Sequence, residues 1–379
     1  MQVNDNSTVR RVAVVLDQAY HFHRQVFPGI LAYQKRHPHL QFSTWNGSPI
    51  LSEELLERVE ADGVIAQLNA EGHFARLRRL GLPFVNVSNL LARGGPRVIC
   101  ADAAVGRMAA EHLWESGLRH FVFCGFKGHR YSEERWKGFA AFVQEKGATA
   151  QCFRHEPGSM NLPFARLPRP AGIFAANDRL ALVVIHYARL AGMQIPDEAA
   201  VIGVDNDVVQ AEMLQTPLTS VQPDCRQIGW EALALLDAAI RSGQHPANRV
   251  HVRVPPLHVV ARASTDLLFI EDTEIRRALR WMRANFGRIK GVDEIIARLP
   301  MSRRTFELRF HKVVDRSPHQ ELARLRWQHA RERLQNTKLT LQEIGEECGF
   351  QNMKDFSAFF SRHEGVSPGR FRKVAPPVD

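Results

Sequence analysis

Residues 341–372 read LQEIGEECGFQNMKDFSAFFSRHEGVSPGRFR, and their spacing decides how the C-terminal part of the chain folds. Leu341, Ile344, Gly345 and Cys348 recur at helical intervals, and Gly349 stops that helix. Asn352 stands where a side-chain oxygen can accept from an orphan backbone N–H. Phe356 and Phe360, four residues apart, then give a second helix one apolar face. A short helix, a tight turn and a second helix form a helix-turn-helix, whose second helix enters the major groove of DNA. Met353, Lys354, Asp355, Ser357 and Ala358 stay off the buried face of that helix. Met353, Lys354, Ser357 and Ala358 are the candidate DNA-binding residues there.

The pattern occurs a second time upstream. Val292 to Phe310 gives a short helix, a turn at Pro300, Ser302 as N-cap, and a helix that buries Phe306 and Phe310. Arg303, Arg304, Glu307 and Leu308 remain for the groove. Pro318 to Gln335 is expected as a longer helix with Leu322, Leu325, Ala330 and Leu334 inward. Ile275, Leu279, Met282 and Phe286 form an earlier helix, with Gly287 expected as its left-handed cap. Two reader helices on one module can enter successive major grooves, about 34 Å apart. From residue 271 onward 22 Lys and Arg face 15 Asp and Glu, a local charge of +7 that leaves +3 of the total +10 for the first 270 residues. Such a basic block suits a polyanion.

These residues resemble the AraC/XylS family of transcription regulators over roughly 273–374. They share Ile-small-x-x-Cys-Gly-Phe, the Phe-xxx-Phe spacing and the closing Gly-x-Ser-Pro-xx-Phe-Arg. Pro300 departs from the glycine usual in the first motif and puts that reader's entry angle in doubt. The resemblance implies double-stranded operator DNA as partner and activation through RNA polymerase.

Before residue 264 the chain alternates apolar β-branched runs (VRRVAVVLD, DGVIAQL, PFVNVS, RVICAD, HFVFCGF, GIFAAND, AVIGVDN) with helical patterns at 24–36, 52–60, 72–80, 103–115, 132–145, 179–191 and 226–241. Near-continuous Val, Ile and Phe mark buried parallel strands, and the alternation marks doubly wound layers. The expected fold is an α/β two-lobed domain over 10–264 followed by an all-α domain with two helix-turn-helix motifs over 273–379. Arg135-Trp-Lys-Gly-Phe, Phe174-Ala-Ala-Asn177-Asp178, the run from Ile195 to Asp207, and Pro217-Leu-Thr-Ser-Val-Gln-Pro223 resemble, in that order, the effector domain of LacI-type regulators and periplasmic sugar-binding proteins. The resemblance implies a periplasmic-binding-protein-like pair of lobes, usually a homodimer. Arg135, Asn177 and Asp205 fall at its ligand-contacting positions.

Guanidinium, amide and carboxylate at strand ends supply the donors and acceptors that sugar hydroxyls need. A charge at Asp205, after an apolar strand, is costly unless used. Asp178 is read as a cap for its helix. Ala19-Tyr20, Arg24-Gln25 and Gly29, with the reader placed last, are similar to pentose-sensing members of the AraC/XylS family. That adds Arg24 to the ligand set and makes D-xylose or a related pentose the expected effector. The short segment at 156–172 is expected to reshape one wall of the cleft.

Rival classes lack their signatures. No Gly-x-Gly-x-x-Gly or Walker loop follows a strand, and no Gly-x-Ser-x-Gly or HExxH occurs, so neither an enzyme nor a cofactor is expected. His21 and His23 are read as surface or packing residues, not metal ligands. The five scattered cysteines are read as buried thiols. Without a membrane-length apolar run or an export signal at the N-terminus, a soluble, cytoplasmic protein is expected. A chromatin protein would leave the two-lobed pattern unexplained.

Overall fold

The computed structural model describes residues 9–44, 61–91, 95–156, 162–243, 251–266 and 272–374. The helix expected at 52–60, and 157–161 of the short segment, lie outside them. The strands are β1 (Arg10–Val15), β2 (Leu40–Thr44), β3 (Gly63–Ala66), β4 (Phe84–Asn86), β5 (Arg97–Cys100), β6 (Phe121–Phe126), β7 (Ala150–His155), β8 (Ala171–Ala175), β9 (Ala199–Val204), β10 (Thr219–Pro223), β11 (His251–Val254) and β12 (Pro256–Val260). They form two six-stranded sheets, ordered β11-β5-β4-β3-β1-β2 and β12-β10-β9-β8-β6-β7. Every pairing is parallel except β10 with β12. Every residue of β3, β4, β5, β8 and β9 is buried, which is why these segments read as apolar runs rather than alternating ones. The chain passes between the sheets after β5, β10 and β11, so each sheet is the centre of one lobe.

Helices α1 (His21–Gln34), α2 (Glu71–Arg79), α3 (Asp102–Glu115), α4 (Arg130–Glu145), α5 (Asp178–Leu190), α6 (Val208–Glu212) and α7 (Cys225–Ser242) surround the sheets. Two helix pairs are pressed together through glycine. A Cβ at Gly29 on α1 would lie 1.8 Å from the Arg226 carbonyl oxygen on α7, and one at Gly229 would lie 2.0 Å from that of Val26. On α3 and α4, Gly106 and Gly138 stand in the same relation to the Arg135 and Ala103 carbonyls, at 1.9 and 1.8 Å. Only a residue without a side chain allows backbones this close. The second crossing brings Arg135 to the first residue of α3.

The C-terminal helices are α8 (Thr273–Asn285), α9 (Val292–Ile296), α10 (Arg303–Val314), α11 (Pro318–Asn336), α12 (Leu341–Glu347), α13 (Met353–Glu364) and α14 (Pro368–Val374). They make two small cores. Ile275, Leu279, Met282, Ile295, Phe306 and Phe310 fill the first; Ala330, Leu334, Ile344, Cys348, Phe356 and Phe360 fill the second. α11 contributes Leu322 to one and Leu334 to the other. Ser302 and Asn352 cap α10 and α13 as expected, accepting from the N–H groups of Thr305 and Asp355. Gly287 differs from expectation: α8 ends at Phe286 in right-handed backbone, and Gly287 is not left-handed. Its Cβ would lie 2.1 Å from the Glu347 carbonyl oxygen, so it serves close approach instead.

By their contacts the residues divide into two compact units, 1–111 with 120–264 and 112–119 with 265–379. No helix among the described residues is long and apolar enough to cross a membrane.

Candidate functional site

Between the two lobes of the first unit lies a cavity of about 240 Å³. It is smaller than the roughly 300–1,000 Å³ that drug-sized ligands occupy. Three of the four residues expected to touch a ligand line it: Arg135, Asn177 and Asp205. Arg135 projects from α4, donates from Nε to the Asp102 carboxylate at 2.8 Å and from a terminal nitrogen to the Ala176 carbonyl. Burial opposes its charge, but Asp102 and Asp205 outweigh burial and raise its pKa. Asp102 is itself pushed up by burial, against Arg135 and the Asn89 amide, which donates to it at 2.7 Å.

Asp205 directly follows β9, with φ 108°. Burial first, then the Asp102 and Asp207 charges, push its pKa up to about 7, with Arg135 opposing. Asn177 carries two duties. Its side-chain oxygen accepts from Leu180 N–H at 2.9 Å and caps α5, while its amide nitrogen is left as a donor 3.5 Å from the Tyr131 hydroxyl.

Two expectations need correction. Arg24 is not brought into the cavity wall; it donates to the Gln18 carbonyl at 2.6 Å and stands 3.9 Å from Asp207. Tyr20, just before α1, and His23 on α1 line the cavity, and Arg24 does not. Asp178 is not the cap of α5, a role Asn177 fills. It is buried and accepts from Ser220 Oγ and Asp207 N–H. His23, read as packing, is 5% exposed yet lines the cavity. Four cysteines are buried as expected, and Cys152 is half-buried.

Asp17, Asn69, Asn89, Asp102, His129 and Tyr131 also line the cavity and were not singled out from the sequence. Asp17, Asn69, Asn89 and Asp102 are short polar residues near strand or helix ends, His129 and Tyr131 are aromatic residues at the start of α4, and only Asp102 carried a signal, standing directly after the apolar RVICA. Burial lowers the pKa of both His23 and His129, so at neutral pH they are uncharged. The wall then holds three carboxyl groups against one guanidinium; Asp102 is paired with Arg135, and Asp205, with its pKa at about 7, is partly protonated at neutral pH. An anionic ligand would meet like charges in a low-dielectric site, whereas a neutral polyol finds acceptors on the carboxylates and donors on Arg135 and Asn177.

In the second unit, Arg303, Arg304, Lys354 and Ala358 are exposed, as is Leu308 at 64%. Glu307, Met353 and Ser357 are half-buried, and Met353 packs against the second core. Arg303 is held by two carboxylates, Glu307 and Asp293, each at 2.9 Å. Phe306, Phe310, Phe356 and Phe360 are fully buried, which fixes the faces of α10 and α13 that point outward. Thr305 and Gln351, not singled out from the sequence, are exposed beside these residues.

Comparison with known proteins matches residues 110–265 to a periplasmic binding protein-like domain and 295–374 to a helix-turn-helix domain. The chain is 27% identical over 388 residues to the xylose operon regulatory protein of Escherichia coli (strain K12), covering 96% of this chain and 97% of that one. The Haemophilus influenzae protein of the same name is 24% identical over 380 residues, covering 96% and 98%. A solved structure of a xylose-binding transcription activator superposes over 96% of this chain and 98% of its own with TM-score 0.59 and 25% identity.

Proposed function

We propose that this chain, which joins a periplasmic-binding-protein-like domain to an AraC-type helix-turn-helix domain, is a transcription activator that senses D-xylose and binds operator DNA through both reader helices. It is a regulator of the sugar-sensing AraC type, similar along nearly its whole length to xylose operon regulators. The observation that carries the finer reading is the cavity: Arg135, Asn177 and Asp205, far apart in sequence, converge on a small space whose charge balance favours a neutral ring bearing hydroxyls.

Sugar binding regulates only if it favours one arrangement of the lobes. In this reading closure over D-xylose sets where the two readers of a homodimer stand. Val183, Tyr187 and Leu190 leave an exposed apolar face on α5 for the second copy. On DNA, Arg303, Arg304, Glu307 and Leu308 of α10 and Met353, Lys354, Ser357 and Ala358 of α13 are the groove residues; activation proceeds through RNA polymerase. The protein acts in the cytoplasm and needs no cofactor.

Calorimetry of the full chain with D-xylose, L-arabinose, D-ribose and the anionic D-xylonate tests the sensor. Heat of binding from a neutral pentose and none from xylonate is expected. Binding of xylonate alone would overturn it.

A further inference from the structure

The backbone that carries Asp205 into the cavity runs through two successive residues of positive φ, 108° at Asp205 and 50° at Asn206. Residues other than glycine seldom adopt that region, and such backbone persists only where its surroundings over-determine it. A single carboxylate outside the cavity wall does so. Asp178, the first residue of α5, is 1% exposed. Its Oδ2 accepts from the Asp207 N–H at 2.9 Å. Its Oδ1 accepts from the Ser220 hydroxyl at 2.7 Å, and that hydroxyl oxygen accepts from the Asn206 N–H at 2.9 Å. Both peptide N–H groups that follow Asp205 therefore end on Asp178, one directly and one through Ser220.

Neighbouring residues make room for this arrangement. A Cβ at Gly203, on β9, would lie 2.2 Å from Asp178 Oδ1, so the strand must carry glycine there for the carboxylate to reach Ser220. Arg262 holds the far side of the loop, donating to the Asn206 side-chain oxygen at 2.7 Å and to the Leu218 carbonyl at 2.8 Å. The ordinary role for an acid at this position, capping α5, is filled by Asn177.

We propose that Asp178 is a positioning residue for ligand recognition: it fixes the 205–207 backbone so that the Asp205 carboxylate faces the cavity, and through Asp205 it sets affinity for the sugar. The claim rests on the sugar reading above. It differs from a packing role because its effect on affinity must pass through Asp205, which makes the two residues non-additive.

The test uses the full chain with Asp178→Ala, Asp178→Asn, Ser220→Ala, Asp205→Asn and the double variant Asp178→Asn with Asp205→Asn. Calorimetry with D-xylose is one arm. Amide hydrogen exchange of the peptide spanning 204–208, without ligand, is the other. Asp178→Ala and Ser220→Ala should each weaken D-xylose by about tenfold or more, the scale of a misplaced charged hydrogen-bond partner. Asp178→Asn should retain more affinity, because its amide oxygen still accepts from Asp207 N–H. The double variant should bind no more weakly than Asp205→Asn alone, and exchange at 204–208 should quicken in every Asp178 variant. If Asp178→Ala does not fold, Ser220→Ala and Asp178→Asn carry the same comparisons. Wild-type affinity and wild-type exchange in these variants, or losses that multiply in the double variant, would overturn the proposal. Should the wild-type chain bind no pentose, the sugar reading falls, and unchanged exchange would overturn the positioning claim separately.

Discussion

Asp205→Asn should make the sensor unit more stable at pH 8 while damaging its response to sugar. In the wild type one guanidinium serves two carboxylates, and Asp102 already accepts from its Nε at 2.8 Å. The second carboxylate is left with burial it cannot offset, and its pKa is pushed from 3.8 to about 7. The folded chain thus keeps a proton on Asp205 up to about pH 7, whereas the unfolded chain releases it near pH 4. Stability falls as pH rises through that window and is level above it. A shift of that size is at most ~4 kcal/mol; solvent reaching the cavity screens part of it, leaving about 1–3 kcal/mol at pH 8. Asparagine is uncharged and tolerates positive φ better than most residues, so the variant removes the charge without new strain. Thermal unfolding of both proteins at pH 5 and pH 8 reads the difference. A small gain in Tm at pH 5, where only the start of that window has been crossed, and a gain of about 2–4 °C per kcal/mol at pH 8 are expected, together with D-xylose affinity weakened by about tenfold or more. A variant less stable than wild type at pH 8, or one that binds D-xylose normally, would refute the reasoning.

Three further outcomes follow from the same geometry. If sugar hydroxyls donate to ionised Asp205, affinity for D-xylose in the wild type should rise by up to about tenfold between pH 6 and pH 8 and then level off; Asp205→Asn should abolish the rise, and a flat wild-type profile would contradict it. Gly106→Ala would put a methyl group 1.9 Å from the Arg135 carbonyl oxygen, so α3 and α4 must separate. A cost of about 1–3 kcal/mol and weaker sugar binding should show in thermal unfolding and calorimetry. Lys354→Ala and Arg303→Ala remove exposed groups from the outer faces of α13 and α10, and each should weaken operator binding by about 1–3 kcal/mol with Tm unchanged; footprints identical to wild type for both would move the DNA contacts elsewhere.

The sequence revealed much of the fold because apolar residues were placed by one rule throughout. Continuous Val, Ile and Phe marked β3, β5, β8 and β9, which are buried on both faces. β2 and β7 escaped notice: they are edge strands, and LQFST and AQCFRH mix polar with apolar residues as an edge permits. The helix-turn-helix pairs were legible because their buried phenylalanines, four residues apart, fix which faces remain.

The cavity was only half legible. Arg135, Asn177 and Asp205 were found through resemblance, but Asn89, Asp102 and Tyr131 reach the same space only because three chain crossings bring strand ends from both lobes together, which no local pattern records. Arg24 was misplaced for the converse reason. It follows His23 directly, about 100° further round the helix, and its guanidinium turns back to the Gln18 carbonyl rather than into the cavity. Asn177, while still lining the cavity, took the capping role expected of Asp178, because either residue type can cap a helix and only the hydrogen bonds distinguish them.

The claim that matters most is that sugar occupancy and DNA binding are linked in this chain. The measurement is the affinity of the full-length protein for an operator selected from random duplex DNA, with and without saturating D-xylose, at fixed salt because phosphate contacts make all such values salt-dependent. Sensing predicts tighter binding with sugar by about 5- to 150-fold, the range that a coupling of 1–3 kcal/mol gives, with the rise in Asp205→Asn displaced to about tenfold or more higher D-xylose. Equal affinities with and without D-xylose in the wild type would contradict it.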